Sequence, residues 1–222
     1  MRHSTALPAS FPRAVSSCVK SESICSAAAS TSSSVTFSSA TASSNFYVRT
    51  AGDGLAFTID IGDGAEFAFV DTVPLTGDGG FRKTGAGTVS FGLGMYAATG
   101  AISCEEGVID FSGAGTLSDV TIEPGAGTIK GATFHGATIR LDSFGGVTPL
   151  FQDCTFTGRT KVVVGGAPAC MEGATVARYS GTISGISTFR LSGWSGYGGG
   201  FSAGDGIVSV DVDMKGAIIL VY

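Results

Sequence analysis

Lys83-Thr84-Gly85-Ala86-Gly87-Thr88 brings a cation, two glycines and two hydroxyls together, the groups that hold a phosphate. A phosphate loop places its lysine and hydroxyl after the last glycine and opens a helix whose free N–H groups face the anion. Here Lys83 comes before the glycines, and Val89-Ser90-Phe91 continues as a strand. The order speaks against a nucleotide site and for a turn. A second group suits carbohydrate chemistry. Asp142, Asp153, Arg159 and Lys161, with Arg140 and His135 close in sequence, are the types that hold calcium or act as acid and base on acidic polysaccharides. Strand alternation puts Arg140 and Asp142 on one face, but no motif ties the group together. These residues therefore read as solvated outward charges, and no catalytic residue, cofactor or metal ligand is assigned. The third group, Trp194, Tyr197 and Phe201, lies in a glycine-rich loop. Such aromatics stack on a sugar or a partner, or they close the open end of a core.

The five cysteines, Cys18, Cys25, Cys104, Cys154 and Cys170, have no zinc-ligand spacing and no CxxC. They read as small buried residues, with a Cys18–Cys25 bridge open in an oxidising compartment. Asp211 and Asp213 alternate with Val210, Val212 and Met214, which places the acids and Lys215 outward and the apolar set inward. Thr155 and Thr157 form a single T-x-T pair, without the long regular ladder that an ice-binding face needs.

The elements that must position these groups are strands. All 35 glycines fall after residue 51, where short Val/Ile/Phe/Thr runs alternate with turns. Gly-Asp-Gly recurs at residues 52–54, 62–64, 77–79 and 204–206. Gly-Ala-Gly-Thr recurs at 85–88, 113–116 and 125–128, and Gly-Ala-Thr at 131–133, 136–138 and 173–175. Both units favour tight turns, since glycine adopts positive φ freely and Asp bonds its own backbone. Almost no window carries helical periodicity. The alternatives are a sandwich or barrel and a β-solenoid whose coils stack short strands into long parallel sheets. The uneven turn spacing over residues 112–141 favours the solenoid. Each coil buries its inner face only against its neighbours, so the end needs a cover, and residues 207–221 fit a cap or the last coils.

Residues 1–45 hold fifteen serines and eight alanines, too little buried surface per residue to offset ordering, and are expected to form a disordered arm. A first strand is placed at Val35-Thr36-Phe37, and the solenoid domain at 46–222. Residues 1–50 carry a net +3 and the remainder a net −8, giving −5 overall. That acidic body excludes nucleic acid as an expected partner, because backbone binding needs a basic surface. No run approaches the roughly 20 apolar residues of a membrane helix.

Phe81-Arg82-Lys83-Thr84-Gly85-Ala86-Gly87-Thr88-Val89-Ser90-Phe91-Gly92, with Tyr96 and then Gly107-Val108-Ile109-Asp110-Phe111, resembles the autotransporter-associated β-strand repeat of bacterial surface proteins. Phe81 matches its leading apolar position and Lys83-Thr84-Gly85 its turn. Val89 and Phe91 match the following strand, and Gly94 stands where the repeat has Asn. Ser103 to Glu106 make the spacing to Gly107 slightly long. The match is strong over residues 80–111, with echoes at 111–117 and 123–129. The resemblance implies an all-β, right-handed parallel β-helix serving as a structural or adhesion-type passenger or stalk segment, secreted or at the cell surface, without catalysis. Expected partners are extracellular glycans or neighbouring surface proteins. The family's membrane barrel has no counterpart here, so the chain is expected to be a piece of a larger protein or to be attached differently. The competing expectations are a polysaccharide lyase or hydrolase, and a lectin-like module resting on Trp194, Tyr197 and Phe201.

Overall fold

The computed structural model describes residues 34–37, 57–69 and 74–215. Over these residues the chain is all-β, and its one helical element is the 3-10 turn Ile186–Thr188. Sheet 1 runs in the order β1 (Ser34–Phe37), β2 (Phe57–Ile61), β5 (Phe81–Thr84), β8 (Ala101–Cys104), β11 (Thr121–Ile122), β14 (Thr138–Leu141), β16 (Thr160–Val164) and β18 (Phe189–Ser192). Sheet 2 runs from β3 (Glu66–Phe69) through β6 (Thr88–Phe91), β9 (Val108–Asp110), β12 (Thr128–Lys130) and β15 (Leu150–Thr157) to β17 (Met171–Ser184). It ends in β20 (Ile207–Met214) and β19 (Tyr197–Gly204). A third set of short strands comprises β4 (Leu75–Gly77) with β7 (Tyr96–Ala98), and β10 (Thr116–Ser118) with β13 (Thr133–His135).

The chain thus lays a strand on sheet 1, then on sheet 2, then on the third set, and returns to sheet 1 beside its previous strand. Neighbours pair in parallel, as in Phe57↔Phe81↔Ile102 on sheet 1 and Phe67↔Val89↔Ile109↔Ile129 on sheet 2. The arrangement is an all-β domain of mostly parallel strands in repeating sheets. β15 serves two sets: its first half pairs with β12 and its second with β13, with a bend at Asp153, where φ is 52°. β1 covers the expected strand at Val35 and lies inside the expected arm 1–45. The rest of that arm, including Cys18 and Cys25, falls outside the described residues.

Period-two patterning explains the registers. In β2, Phe57, Ile59 and Ile61 are buried while Thr58 and Asp60 are half-exposed. In β6, Val89 and Phe91 are buried between Thr88 and Ser90. Strands about 4.8 Å apart bring like residues of successive circuits into contact. The Phe91 ring accordingly stacks on Phe69 at 4.6 Å and on Phe111 at 5.1 Å, with Phe81 and Tyr96 edge-on at 5.4 and 5.3 Å. A second cluster puts Phe134 on Phe156 at 5.1 Å, with Phe151 and Phe189 edge-on to Phe156. Each such ring contributes about 1.5–3 kcal/mol by burial.

The Gly-Ala-Gly corner uses its two glycines differently. Gly85 takes φ 73°, as the turn expects. Gly87 does not enter the left-handed region; its need is space, because a Cβ there would overlap the carbonyl oxygens of Gly62 and Ala65. Gly87→Ala is expected to lower stability by more than about 1 kcal/mol, since the obstacle is backbone that cannot move aside. Urea unfolding measures this directly.

At the C-terminal end the parallel pattern stops. Asp205 and Gly206, at φ 52° and 75°, form the two-residue turn of a β19–β20 hairpin, and β20 pairs antiparallel with β17. Residues 207–214 are therefore an antiparallel closing strand, with Val208, Val210 and Val212 buried and Asp211 and Asp213 exposed. Met214, expected inward, is 52% exposed because the strand runs past the core there. Residues 216–222 lie outside the described residues.

Candidate functional site

Among the described residues, three places hold the groups capable of chemistry: the outward rows of the sheets, the aromatic cap beside the β19–β20 hairpin, and the corner that contains Lys83.

The outward rows separate the residues that suit carbohydrate cleavage. Arg140 and Lys161 stand on sheet 1, where Thr138 pairs with Lys161 and Arg140 with Val163. Asp153 stands at the bend of β15 on sheet 2, and its Oδ1 accepts from the Thr182 N–H and hydroxyl, each at 2.9 Å. Those bonds hold its carboxyl below the usual carboxylate range. Arg140 reaches instead to Glu123 at 3.7 Å, while Asp142 and Arg159 are exposed beyond the strands. His135 shares a 3.3 Å hydrogen bond with the Thr157 hydroxyl. Sheet 2 carries a separate pair, Lys130 and Asp110, with a 3.0 Å contact between register partners. Burial pushes the Asp110 carboxyl up, but hydrogen bonds from Ser112 and Lys130 outweigh it and leave the group below its ordinary range. Among the described residues, no group of three or more His, Cys, Asp or Glu could hold a metal ion.

The remaining set of strands presents hydroxyls. Thr116, Thr133, Thr155 and Ser184 are aligned across four strands, and Ser118, His135 and Thr157 form the parallel row two residues on. Hydrogen bonds run along the rows, Ser184 Oγ to Thr155 Oγ1 at 3.1 Å and Thr157 Oγ1 to the Phe134 carbonyl at 3.0 Å. Sequence reading found only the Thr155/Thr157 pair. The interval from Leu117 to Phe134 is shorter than that from Phe134 to Phe156, so no constant period marks the rows.

The aromatic group gathers at the cap. Trp194 is 8% exposed; its Nε1 donates to the Val164 carbonyl at 3.1 Å, and its ring meets Phe144 and Tyr197 edge-on. Phe201 packs on Phe189 at 5.7 Å. Tyr197 and Phe201 are half-buried against the core. The glycines beside them admit the hairpin over the core end: a Cβ at Gly199 would come within 2.7 Å of Val210 Cγ2.

The corner holds a group that sequence reading placed in a turn. Lys83 is the last inward residue of β5 and is 0% exposed. Its ammonium donates to the carbonyls of Thr84 at 3.0 Å, Glu106 at 3.0 Å, and Gly85. Burial lowers its pKa, opposed by the neighbouring Cys104, Asp60 and Glu106. Cys104, its register partner on β8, and Cys154 on β15 are both buried, and burial pushes each thiol up to about 11. Cys170 is exposed. Burial also raises the Tyr96 phenol, whose oxygen is without a hydrogen-bond partner.

These shifts fix an alkaline response. Thiols that ionise near 9 when unfolded and about 11 when folded add stability that is whole below pH 9 and lost as pH rises toward 11. Tyr96 acts in the same direction. Lys83, with its folded pKa lowered, works against them as pH approaches 10.5. The unfolding free energy from urea titration is expected to fall between pH 9 and 11, by on the order of 2 kcal/mol per thiol. Cys104→Ala with Cys154→Ala is expected to flatten the fall.

No family model, curated protein or solved structure matches the chain.

Proposed function

We propose that the circuits close into a right-handed parallel β-solenoid, and that the chain is a non-catalytic structural or adhesion-type passenger or stalk segment of an exported bacterial surface protein. Right-handedness follows from the strong preference of parallel crossovers for that hand. The export reading rests on the resemblance of Phe81 to Phe111 to the autotransporter-associated repeat. The observation that carries the non-catalytic reading is the outward surface: one row of hydroxyls and a second row in which His135 stands between Ser118 and Thr157, with charges set in separate pairs on different sheets. A glycoside hydrolase groove holds two carboxylates about 5–10 Å apart, and a lyase groove gathers a base and a cationic group on the uronate; the paired charges here stand apart on separate sheets. Trp194 serves the core through its buried ring, and Tyr197 and Phe201 lean on the same core end, which supports capping over sugar stacking.

The experiment is an incubation of the chain with uronate-containing and neutral polysaccharides, followed by reducing-end and unsaturated-product assays. No release above the blank is expected. Turnover that disappears in Asp153→Asn or Lys161→Ala would replace this reading with the carbohydrate-active one.

A further inference from the structure

Lys83 and Cys104 are register partners in the parallel strands β5 and β8, and both are buried. Backbones so paired lie about 4.8 Å apart. Both heads come to one acceptor, the Glu106 carbonyl oxygen, with Nζ at 3.0 Å and Sγ at 3.6 Å. A Cβ at Gly107 would stand 2.6 Å from Nζ, so glycine at that position leaves the lysine head its room. We propose that this pair is a redox crosslinking site, joined by a sulfur–nitrogen bond when the protein meets a hydroperoxide.

The chemistry balances in two steps. The Cys104 sulfur takes one oxygen from hydrogen peroxide, giving the sulfenic acid and water; sulfur is oxidised by two electrons and peroxide is reduced. The Lys83 ammonium gives up a proton, and its lone pair attacks the sulfenic sulfur. The S–O bond breaks, the N–S bond forms, and hydroxide leaves as water after taking a proton from nitrogen. In sum, ammonium, thiol and peroxide yield the sulfenamide, two waters and one proton. The bond ties one circuit of the stack to the next, and a thiol reductant reverses it.

Cys154 is the internal control. It is as buried as Cys104, and its sulfur meets the backbone carbonyls of Ile129 and Gln152, at 3.4 Å each. Both thiols are buried, so an amine link formed at Cys104 and absent at Cys154 is set by the lysine beside Cys104 and not by burial.

The test treats the purified full-length chain with hydrogen peroxide, then unfolds it, alkylates free thiols, digests it with trypsin and weighs the peptides. The expected result is a Lys83–Cys104 linked species two hydrogens lighter than its reduced components, uncut at Lys83 and released by dithiothreitol, with Cys154 free of any amine link. Lys83→Arg is expected to abolish the link and leave a Cys104 sulfenic acid that dimedone traps. The wild-type arm decides the matter if that variant fails to fold. Recovery of Cys104 as an alkylated thiol, as sulfinic acid without a link, or joined to any group other than Lys83 overturns the proposal. The peroxide is supplied in the tube, so the result is independent of where the protein resides.

Discussion

Lys83→Met is expected to destabilise the domain by about 3 kcal/mol, nearly its whole effect appearing as a lower urea midpoint at unchanged slope. Methionine keeps the length and volume of the lysine stem but donates nothing. The carbonyls of Thr84, Gly85 and Glu106 then lose their donor in a place with 0% exposure, where water cannot replace it. Each buried acceptor left alone costs about 1–3 kcal/mol. Relief from burying a charge offsets part of that sum. Lys83→Arg provides the contrast: it keeps the charge but brings a planar fork too bulky for a three-carbonyl corner. A stability within about 0.5 kcal/mol of wild type for Lys83→Met would mean that the ammonium is not what satisfies the corner.

Phe91→Ala is expected to cost about 3–5 kcal/mol and to change the form of unfolding as well. The Phe91 ring touches Phe69, Phe111, Phe81 and Tyr96, and so joins three successive circuits. In a stack held by nearest-neighbour contacts, weakening one junction lets the parts on either side melt separately. The expected signature is a broadened or two-step transition. The cluster of Phe134, Phe151, Phe156 and Phe189 should retain the higher midpoint. Amide exchange is the readout: faster exchange in β2, β3, β5 and β6, with β14, β15 and β16 near wild type. A single sharp transition with uniform loss of protection would contradict it.

Strand positions and inward parity were legible in the sequence because period-two alternation is local. Phe57-Thr58-Ile59-Asp60-Ile61 and Thr88-Val89-Ser90-Phe91 are read the same way in isolation as in the sheets. The same parity, applied one step further, marks Lys83: with Phe81 inward in β5, the residue two positions on also faces in. The Lys-Thr-Gly of the resembled repeat places this lysine in the turn instead, and the carbonyls of two circuits are what make its burial tolerable. The hydroxyl rows were hidden for another reason. Thr116, Thr133 and Thr155 come together through pairing between circuits of unequal length, which no fixed spacing reveals. The cap was half legible: alternation placed Asp211 and Asp213 outward, but the antiparallel turn of β20 depends on the Asp205-Gly206 hairpin and on pairing with β17. The candidate charged site was dispersed for the same cause as the rows were assembled, since sequence neighbours on either side of a corner belong to different sheets.

The central claim, a passive solenoid segment built for export to a bacterial surface, is tested most directly by display. The chain is placed between an export leader and an outer-membrane β-barrel in Gram-negative cells, and intact cells are treated with protease. The expected result is surface exposure of the whole segment, with the body from β2 to β20 surviving as a resistant fragment. Retention in the periplasm, or complete digestion at protease levels that spare folded domains, would contradict the claim.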